Sequence, residues 1–222
     1  RGKIATLDCD FTDAVDPNGQ VTRSVYDPLG RLIQVYGPDD PKNLPGIIYE
    51  YQTTIIPNRT AIKTKTSYDR RQPAYLTAYR FMDGLGRVIQ EQAPAEPDPT
   101  TGEPRHRVFG VVRYDAEGRV TERYLPYVRR GEAGTFATDY TDQPKIVYAY
   151  DALGRLVRTT NPDGTFSERR YDDWTTTLID ENGHRVVETR DAYGNVVKID
   201  GDKATVWSST QMPHLVRRQI AA

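Results

Sequence analysis

A short repeat, Asp-x-x-Gly, limits more than any other feature what this chain can fold into. The pattern occurs seven times, whereas random placement of 21 Asp and 17 Gly among 222 residues gives about one or two matches. The residue after the Gly is Arg in four copies, and the residue after that is aliphatic in six. The seven copies begin at Asp16, Asp27, Asp83, Asp115, Asp151, Asp180 and Asp191.

Each copy of the repeat predicts a β-hairpin. An Asp carboxylate accepts hydrogen bonds from backbone amides a few residues further on, and a Gly adopts positive φ without a Cβ penalty. In three copies a Tyr precedes the Asp and ends the incoming strand, and the aliphatic residue after the turn begins the outgoing one. The predicted structural turn residues are Tyr26, Asp27, Gly30, Arg31, Asp83, Gly86, Arg87, Tyr114, Asp115, Gly118, Arg119, Tyr150, Asp151, Gly154 and Arg155.

The segments between the turns alternate with period two. Residues 47–56 place Ile47, Tyr49 and Tyr51 on one face, and residues 145–150 follow the same pattern. Such alternation is typical of antiparallel sheet with one apolar and one wet face. No segment shows a convincing amphipathic helix, so the chain is predicted to be all-β, built of consecutive antiparallel hairpins.

The spacing between copies is irregular. Successive turn glycines are 11 to 56 residues apart, which argues against a propeller or a solenoid of fixed period. Three stretches rich in Pro, Gly and acidic residues lie between copies, at 37–46, 93–104 and 129–144. We interpret these long loops as surface excursions between hairpins rather than domain linkers.

Composition excludes several functional classes. The formal net charge of −1 argues against a nucleic-acid binder that relies on long-range attraction to phosphate. No apolar run approaches the length of a transmembrane helix. The single Cys9 cannot form an intrachain disulfide, and a chain that opens at Arg1 without an apolar signal region looks like an excised or processed piece.

The chemically reactive residue types form no catalytic or metal-binding pattern. His106, His184 and His214 are scattered, without metal-ligand spacing to one another or to Cys9. Cys9 also has no neighbouring His to lower its pKa. We therefore predict no catalytic, cofactor-binding or metal-binding residue.

Three weaker functional interpretations stay open. The turns at 16–19 and 180–183 resemble fragments of a calcium loop, although Asn-Gly is itself a hairpin signal. The Arg pairs at 70–71, 129–130 and 169–170 could bind an anion or cargo, whereas the charge balance favours cross-strand pairing with Asp and Glu. The Tyr-rich strands could stack sugars, but sheet packing explains them more simply.

The complete copies of the repeat, at 26–32, 114–120 and 150–156, resemble the YD repeat, also called the Rhs repeat. Residues 81–91 are similar to a variant in the Rhs region of SpvB-like and toxin-complex B-component proteins. The resemblance extends over roughly 16–199. It implies a spiral sheet of hairpins that forms part of a hollow β-shell, which encapsulates a toxin or other cargo polypeptide.

The resemblance implies a structural, non-enzymatic role for residues 1–222 as a single segment of a larger shell, secreted or at the cell surface. The implied partners are neighbouring YD repeats of the same or another chain and the encapsulated polypeptide, with no nucleic acid, no cofactor and no membrane span. The alternative is an extracellular module that binds a glycan or receptor through its long loops. An enzyme would need a pocket with convergent polar groups.

Overall fold

The structure, a computed structural model, describes residues 11–67, 74–201 and 204–207, the last four by their backbone alone. Within these residues the chain forms eighteen strands and no helix. The all-β prediction is therefore confirmed. The chain divides into two compact units, the first made of Arg1–Val112 and Tyr124–Gln143, and the second of Arg113–Arg123 and Pro144–Ala222. That residues 1–222 act as a single segment of a larger shell stays a prediction.

The first sheet has nine strands in the order β1-β2-β3-β4-β5-β6-β7-β8-β11. Each consecutive pair from β1 to β8 is antiparallel, and β11 pairs antiparallel with β8. The strands are β1 (Phe11–Val15), β2 (Val21–Tyr26), β3 (Leu32–Tyr36), β4 (Ile47–Gln52), β5 (Asn58–Lys65), β6 (Tyr75–Met82), β7 (Val88–Ala95), β8 (Arg105–Phe109) and β11 (Tyr127–Arg130).

The second sheet also has nine strands, in the order β18-β17-β16-β15-β14-β13-β12-β10-β9. From β12 to β18 every strand pairs antiparallel with the next one in the chain. The strands are β9 (Val112–Tyr114), β10 (Val120–Tyr124), β12 (Lys145–Tyr150), β13 (Leu156–Thr160), β14 (Phe166–Asp172), β15 (Thr175–Ile179), β16 (Arg185–Arg190), β17 (Val196–Gly201) and β18 (Ala204–Trp207).

The Asp-x-x-Gly segments form the tight turns of these hairpins. In the turn at 151–154 the Gly154 N–H donates to the Asp151 carbonyl at 2.9 Å, and the Asp151 N–H donates to the Arg155 carbonyl at 2.9 Å. The φ of Gly154 is +80°, and the strand register shifts by one residue at Tyr150. This is a three-residue hairpin loop, a type I turn followed by a left-handed Gly that forms a bulge.

The buried core is small and lies in the first unit. The buried apolar side chains of the described residues are Ala61, Phe81, Val108, Val111, Tyr124 and Ala137. Four of them form one cluster, in which Ala137 lies against Val108, Val111 and Tyr124. By contrast, no described side chain of the second unit is buried, because its sheet has no second layer within that unit.

The structure corrects the interpretation of the third long loop as a surface excursion and adjusts the other two, which connect neighbouring strands. Residues 129–130 belong to β11 and Ala137 is fully buried, so the third loop packs on the first sheet. Residues 93–95 complete β7, which shortens the second loop to 96–104. The first loop is anchored by the buried ion pair of Lys65 and Asp40. The Pro and Gly content indicates a break in strand pairing and does not indicate whether the chain then lies over a sheet.

One strand prediction is also too long. The alternation over residues 47–56 predicts a single strand, whereas β4 ends at Gln52. Residues 53–57 form the connection to β5, and Ile56 in this connection is fully exposed.

Candidate functional site

The Asp carboxylate is the centre of each turn. In the turn at 151–154, Oδ1 of Asp151 accepts hydrogen bonds from the backbone N–H groups of Leu153 and Arg155, both at 2.9 Å. In all seven copies the N–H of the residue four positions after the Asp donates to this oxygen, at 2.8 to 3.0 Å. The side chain thereby satisfies amides that a three-residue loop leaves without strand partners.

In most copies the second carboxylate oxygen contacts the side chain of the residue that follows the Gly. In the four copies with Arg, the Arg Nε donates to Oδ2 of the Asp at 2.7 to 2.8 Å; these are Arg31, Arg87, Arg119 and Arg155. Two of the three copies with another residue reproduce the contact. His184 Nδ1 lies 2.8 Å from Asp180 Oδ2, and Asn195 Nδ2 donates to Asp191 Oδ2 at 3.1 Å. His184 is thus a turn-closing residue.

A Tyr from the adjacent strand completes the arrangement in three turns. The hydroxyl of Tyr150 on β12 donates to the Val120 carbonyl on β10 at 2.8 Å, and its ring lies 4.9 Å from the guanidinium carbon of Arg119. The other two sets of Tyr, Arg and carbonyl residue are Tyr171 with Arg155 and Leu156, and Tyr51 with Arg31 and Leu32. We call this Asp–Arg–Tyr arrangement the turn lock.

The turn lock gives Tyr150, which precedes the repeat residue Asp151, a role that the sequence alone does not indicate. The sequence assigns Tyr150 to the end of its own strand, and the structure places it there, as it places Tyr26 and Tyr114. Its hydroxyl and ring, however, contact the turn of the preceding hairpin. A cation over an aromatic ring contributes about 0.5–1 kcal/mol at an exposed site. At these three turns the lock therefore ties a hairpin to the neighbouring strand.

Hydrogen bonds hold the turn carboxylates in the ionised form. The Arg155 backbone N–H is the main cause of the lowered pKa of Asp151. At Asp27, Asp83 and Asp115 burial raises the pKa, but the combined hydrogen bonds from backbone and Arg outweigh it, so the pKa of each is lowered. At neutral pH these carboxylates are ionised and accept the hydrogen bonds of their turns, so they are poor candidates for acid–base chemistry.

One turn of the same geometry escapes the Asp-x-x-Gly pattern. The Gly164 N–H donates to the Asn161 carbonyl at 3.0 Å, and the Asn161 N–H donates to the Thr165 carbonyl at 2.8 Å. Asn161 Nδ2 also donates to Thr165 Oγ1 at 3.0 Å. A search that accepted Asn at the first position would have found it, because Asn can cap a turn as Asp does.

Two buried glutamines form a second polar site in the first unit. Gln90 is fully buried on β7, and its side-chain amide donates to the Ala137 carbonyl and accepts from the Ala137 N–H, both at 2.9 Å. Gln92, also fully buried, donates to the Thr135 carbonyl at 2.7 Å and accepts from the Gly134 N–H at 2.8 Å. We call this arrangement the glutamine seat.

The glutamine seat holds residues 131–143 against the sheet. Gly134 has φ +113°, and a Cβ on it would lie 2.9 Å from the Tyr79 ring, so only Gly fits without a shift. Phe136 in this segment packs edge to face on buried Phe81, with ring centres 5.5 Å apart. The sequence carried no signal for this site, because buried Gln on a strand is indistinguishable from exposed Gln in a period-two pattern.

The other chemical candidates are used structurally where the structure describes them. His106 is buried, and its Nδ1 lies 2.8 Å from the Gly131 carbonyl. Arg129 pairs with Asp139 and Arg170 with Glu168, both at 2.9 Å. Cys9, His214 and the pair at 70–71 lie outside the described residues.

The described residues also bear on metal binding and on membrane-spanning helices. Over residues 11–67 and 74–201, no cluster of three or more His, Cys, Asp or Glu has the arrangement of a metal site. No helix in the described part of the chain is long and apolar enough to cross a membrane.

Solved structures with the same fold belong to toxin complexes. The crystal structure of TcdB2-TccC3 superposes with a TM-score of 0.66 at 20% identity, covering 86% of this chain and 12% of that one. The same complex without its hypervariable C-terminal region gives 0.62 at 16% identity, covering 85% and 14%. The Tc holotoxin pore of Photorhabdus luminescens gives 0.65 at 16% identity, covering 86% and 15%.

At these identities the superpositions establish a shared fold, and the chain spans only about an eighth of the TcdB2-TccC3 chain that it matches. No curated protein matches the sequence. A family model, described as a domain of unknown function (DUF6443), matches residues 52–184. That match covers more than half of the chain, so the chain belongs to the DUF6443 family.

Proposed function

We propose that this chain is a YD-repeat (Rhs) wall segment of a β-shell that encloses a toxin or other cargo polypeptide, and that it has no catalytic role. The observation that carries the proposal is the second unit. It is a sheet of consecutive hairpins that buries no described side chain, yet four of its turns are fixed by a carboxylate-centred hydrogen-bond set. Such a sheet suits a wall whose two faces meet solvent or another polypeptide.

The stability of such a wall has to come from local contacts. A globular domain stabilises its sheet by burying one face against a second layer. Here the turn lock supplies a hydrogen bond, an ion pair and a ring contact at three hairpin junctions, as with Asp151, Arg155 and Tyr171. A net contribution of about 0.5–1.5 kcal/mol for each hydrogen bond, repeated along the ribbon, supports an extended single layer.

The comparisons support a wall segment of something larger. This chain covers 12–15% of chains whose structures contain TcdB2-TccC3 or a Tc holotoxin pore, so those chains have room for many more hairpins. By analogy we propose neighbouring YD repeats and an enclosed polypeptide as partners, and a secreted or cell-surface location. The absence of a cofactor requirement and of a nucleic-acid partner stays a prediction.

The test uses the complete polypeptide encoded by the gene that contains this chain. Electron cryomicroscopy should show residues 11–201 as part of a continuous β-wall with polypeptide density enclosed. Limited proteolysis should then spare the enclosed segment. A doubly altered turn, Asp151→Ala with Arg155→Ala, should open the wall and expose that segment at least tenfold faster.

Two control measurements make the test decisive. The exposed-tip variant Asn182→Gln should leave the protection unchanged, because Asn182 is exposed at the tip of its turn. An extended or flat assembly without enclosed density, or equal cleavage of all variants, would contradict the shell.

The loop-binding alternative has one separate test. Glycan or receptor binding that disappears on shortening residues 96–104 would favour it. Residues 134–137 are less suited to that role, since the glutamine seat and Phe81 already hold Gly134, Phe136 and Ala137 against the sheet.

A further inference from the structure

The most exposed large apolar side chains of the first unit lie at one end of its strands, along a row of strand connections. Leu29, Ile56 and Leu85 are between 76% and 100% exposed. They occupy the connections β2–β3, β4–β5 and β6–β7. Because consecutive strands are antiparallel neighbours, these alternate connections all fall at the same end of the strands. We call this edge the first apolar rim.

The second unit repeats the arrangement. Leu153, Trp174 and Tyr193 are between 57% and 91% exposed and occupy the connections β12–β13, β14–β15 and β16–β17. These connections also share one end of the strands, since β12 to β17 are consecutive antiparallel neighbours. We call this edge the second apolar rim.

The opposite ends of the same strands carry polar tips. In the second unit the connections β13–β14 and β15–β16 present Asp163 and Asn182 at positions equivalent to Leu153. In the first unit β1–β2 presents Asn18. The large apolar side chains at hairpin tips therefore lie at one end of each sheet, whereas Val15 and Phe166, 66% and 38% exposed near the opposite ends, belong to strands. Contiguous exposed apolar groups mark interaction surfaces.

The charges next to the three leucine tips are already paired. Leu153 lies between Asp151 and Arg155, and these two form an ion pair at 2.7 Å. Leu29 and Leu85 lie in the same position within ion pairs of 2.7 Å. At these tips the rim therefore offers a partner apolar side chains and locally neutral turns. This pattern does not match a charged ligand or an anionic lipid surface, which select basic residues.

The spacing of the tips fits a partner rim of the same period. Alternate connections are two strands apart, which is about 9.6 Å at about 4.8 Å per strand. A rim of this kind therefore consists of apolar knobs separated by gaps of the same period. The rim of another hairpin ribbon, shifted by one strand, has its knobs where this one has its gaps.

We propose that each apolar rim docks edge to edge on the apolar rim of another ribbon of the same hairpin type, and that for the isolated chain this ribbon is a second copy. This goes beyond the proposed function, since it assigns a surface and does not depend on enclosed cargo. Three tips fall short of the roughly 800 Å² per partner of a stable interface. A single rim contact is therefore weak, and it becomes strong when a longer polypeptide tethers the two ribbons.

The test is sedimentation of the full 222-residue chain from low to high micromolar concentration. The unaltered chain should self-associate reversibly. The double variant Leu153→Gln with Tyr193→Gln should weaken this association at least tenfold. The matched control Asn182→Gln, at the polar end, should leave it unchanged, and thermal melting should show that all variants fold.

A gain of association offers an independent check. Glu117 occupies the Leu153-equivalent position in the neighbouring turn at 115–118, next to the turn at 151–154 through Arg119. Glu117→Leu adds a fourth knob to the second apolar rim, so it should strengthen self-association several-fold.

Several results would overturn the proposal. One is a chain that stays monomeric at all concentrations, or a rim variant that associates like the parent. Another is association that is lost in Ala14→Pro, on the exposed edge strand β1, but kept in the rim variant, because that pattern indicates strand pairing. Flotation with uncharged phosphatidylcholine vesicles that requires Leu153 would assign the rim to lipid instead.

Discussion

The two units use the same hairpin but are stabilised differently. In the first unit residues 131–143 lie on the sheet, and Phe81, Val108, Val111 and Ala137 are almost completely buried. In the second unit no described side chain is buried, and the turn locks are the main specific contacts. The difference shows that one returning segment is enough to convert a single-layer ribbon into a unit with a core.

The largest expected effect is on the core of the first unit. Phe81→Ala should destabilise that unit by about 3–5 kcal/mol, because it removes a buried ring and leaves a cavity. The matched variant Phe166→Ala, in the second unit, removes a ring that is 38% exposed and should cost clearly less. Hydrogen exchange resolved by unit measures both, and equal losses would erase the distinction between the units.

The next effect separates the glutamine seat from ordinary packing. Gln90→Met keeps the volume but leaves the buried Ala137 N–H and carbonyl without these partners, at about 1–3 kcal/mol for each group. Amide exchange in residues 131–143 should accelerate strongly while the second unit is unchanged. If Gln90→Met left the amide exchange of Ala137 unaltered, the result would show that packing alone holds the segment.

A turn variant tests the source of stability in the second unit. Gly118→Val places a β-branched residue at φ +82° and should cost about 1–3 kcal/mol. It should lower the melting temperature more than His184→Ala, which removes one exposed contact to Asp180. The reverse order in thermal melts would mean that the turn conformation contributes less than its closing side chain.

A smaller effect should isolate the lock between hairpins. Tyr150→Phe removes the hydroxyl that donates to the Val120 carbonyl and should cost about 0.5–1.5 kcal/mol. Tyr193→Phe is the control, since Tyr193 is almost fully exposed and should tolerate the change. Urea denaturation followed by tyrosine-sensitive circular dichroism compares the two variants. Identical midpoints would show that the Tyr150 hydroxyl does not stabilise the fold.

Acid should loosen the second unit more than the first. The pKa values of five Asp residues of the first unit are lowered too, but among the described residues only the first unit also has an apolar core that does not titrate. The pKa values of Asp115, Asp151, Asp180 and Asp191 are lowered in the folded chain. Their stabilisation is complete above the unfolded value of about 3.9 and is lost as the pH falls through the lower folded values. Exchange at pH 3 against pH 6 should show selective loosening of residues 144–201. Uniform loosening of both units would contradict this.

Much of the fold could be predicted because the turn chemistry is local. Asp, Gly and Arg within five residues make a complete hydrogen-bond set, so Asp151 to Arg155 specify a hairpin without any help from distant residues. The glutamine seat could not be predicted for the opposite reason. Gln90 and Ala137 are 47 residues apart, and nothing near either one indicates that they meet.

The sequence by itself determined the hairpins and their turns, because these depend on contacts between near neighbours. Only the tertiary structure decided which stretch becomes a cover, which Tyr locks which turn, and which apolar tips share one rim. Those features depend on strand order and on the path of the chain after β10, and such non-local pairings leave no mark in a period-two pattern.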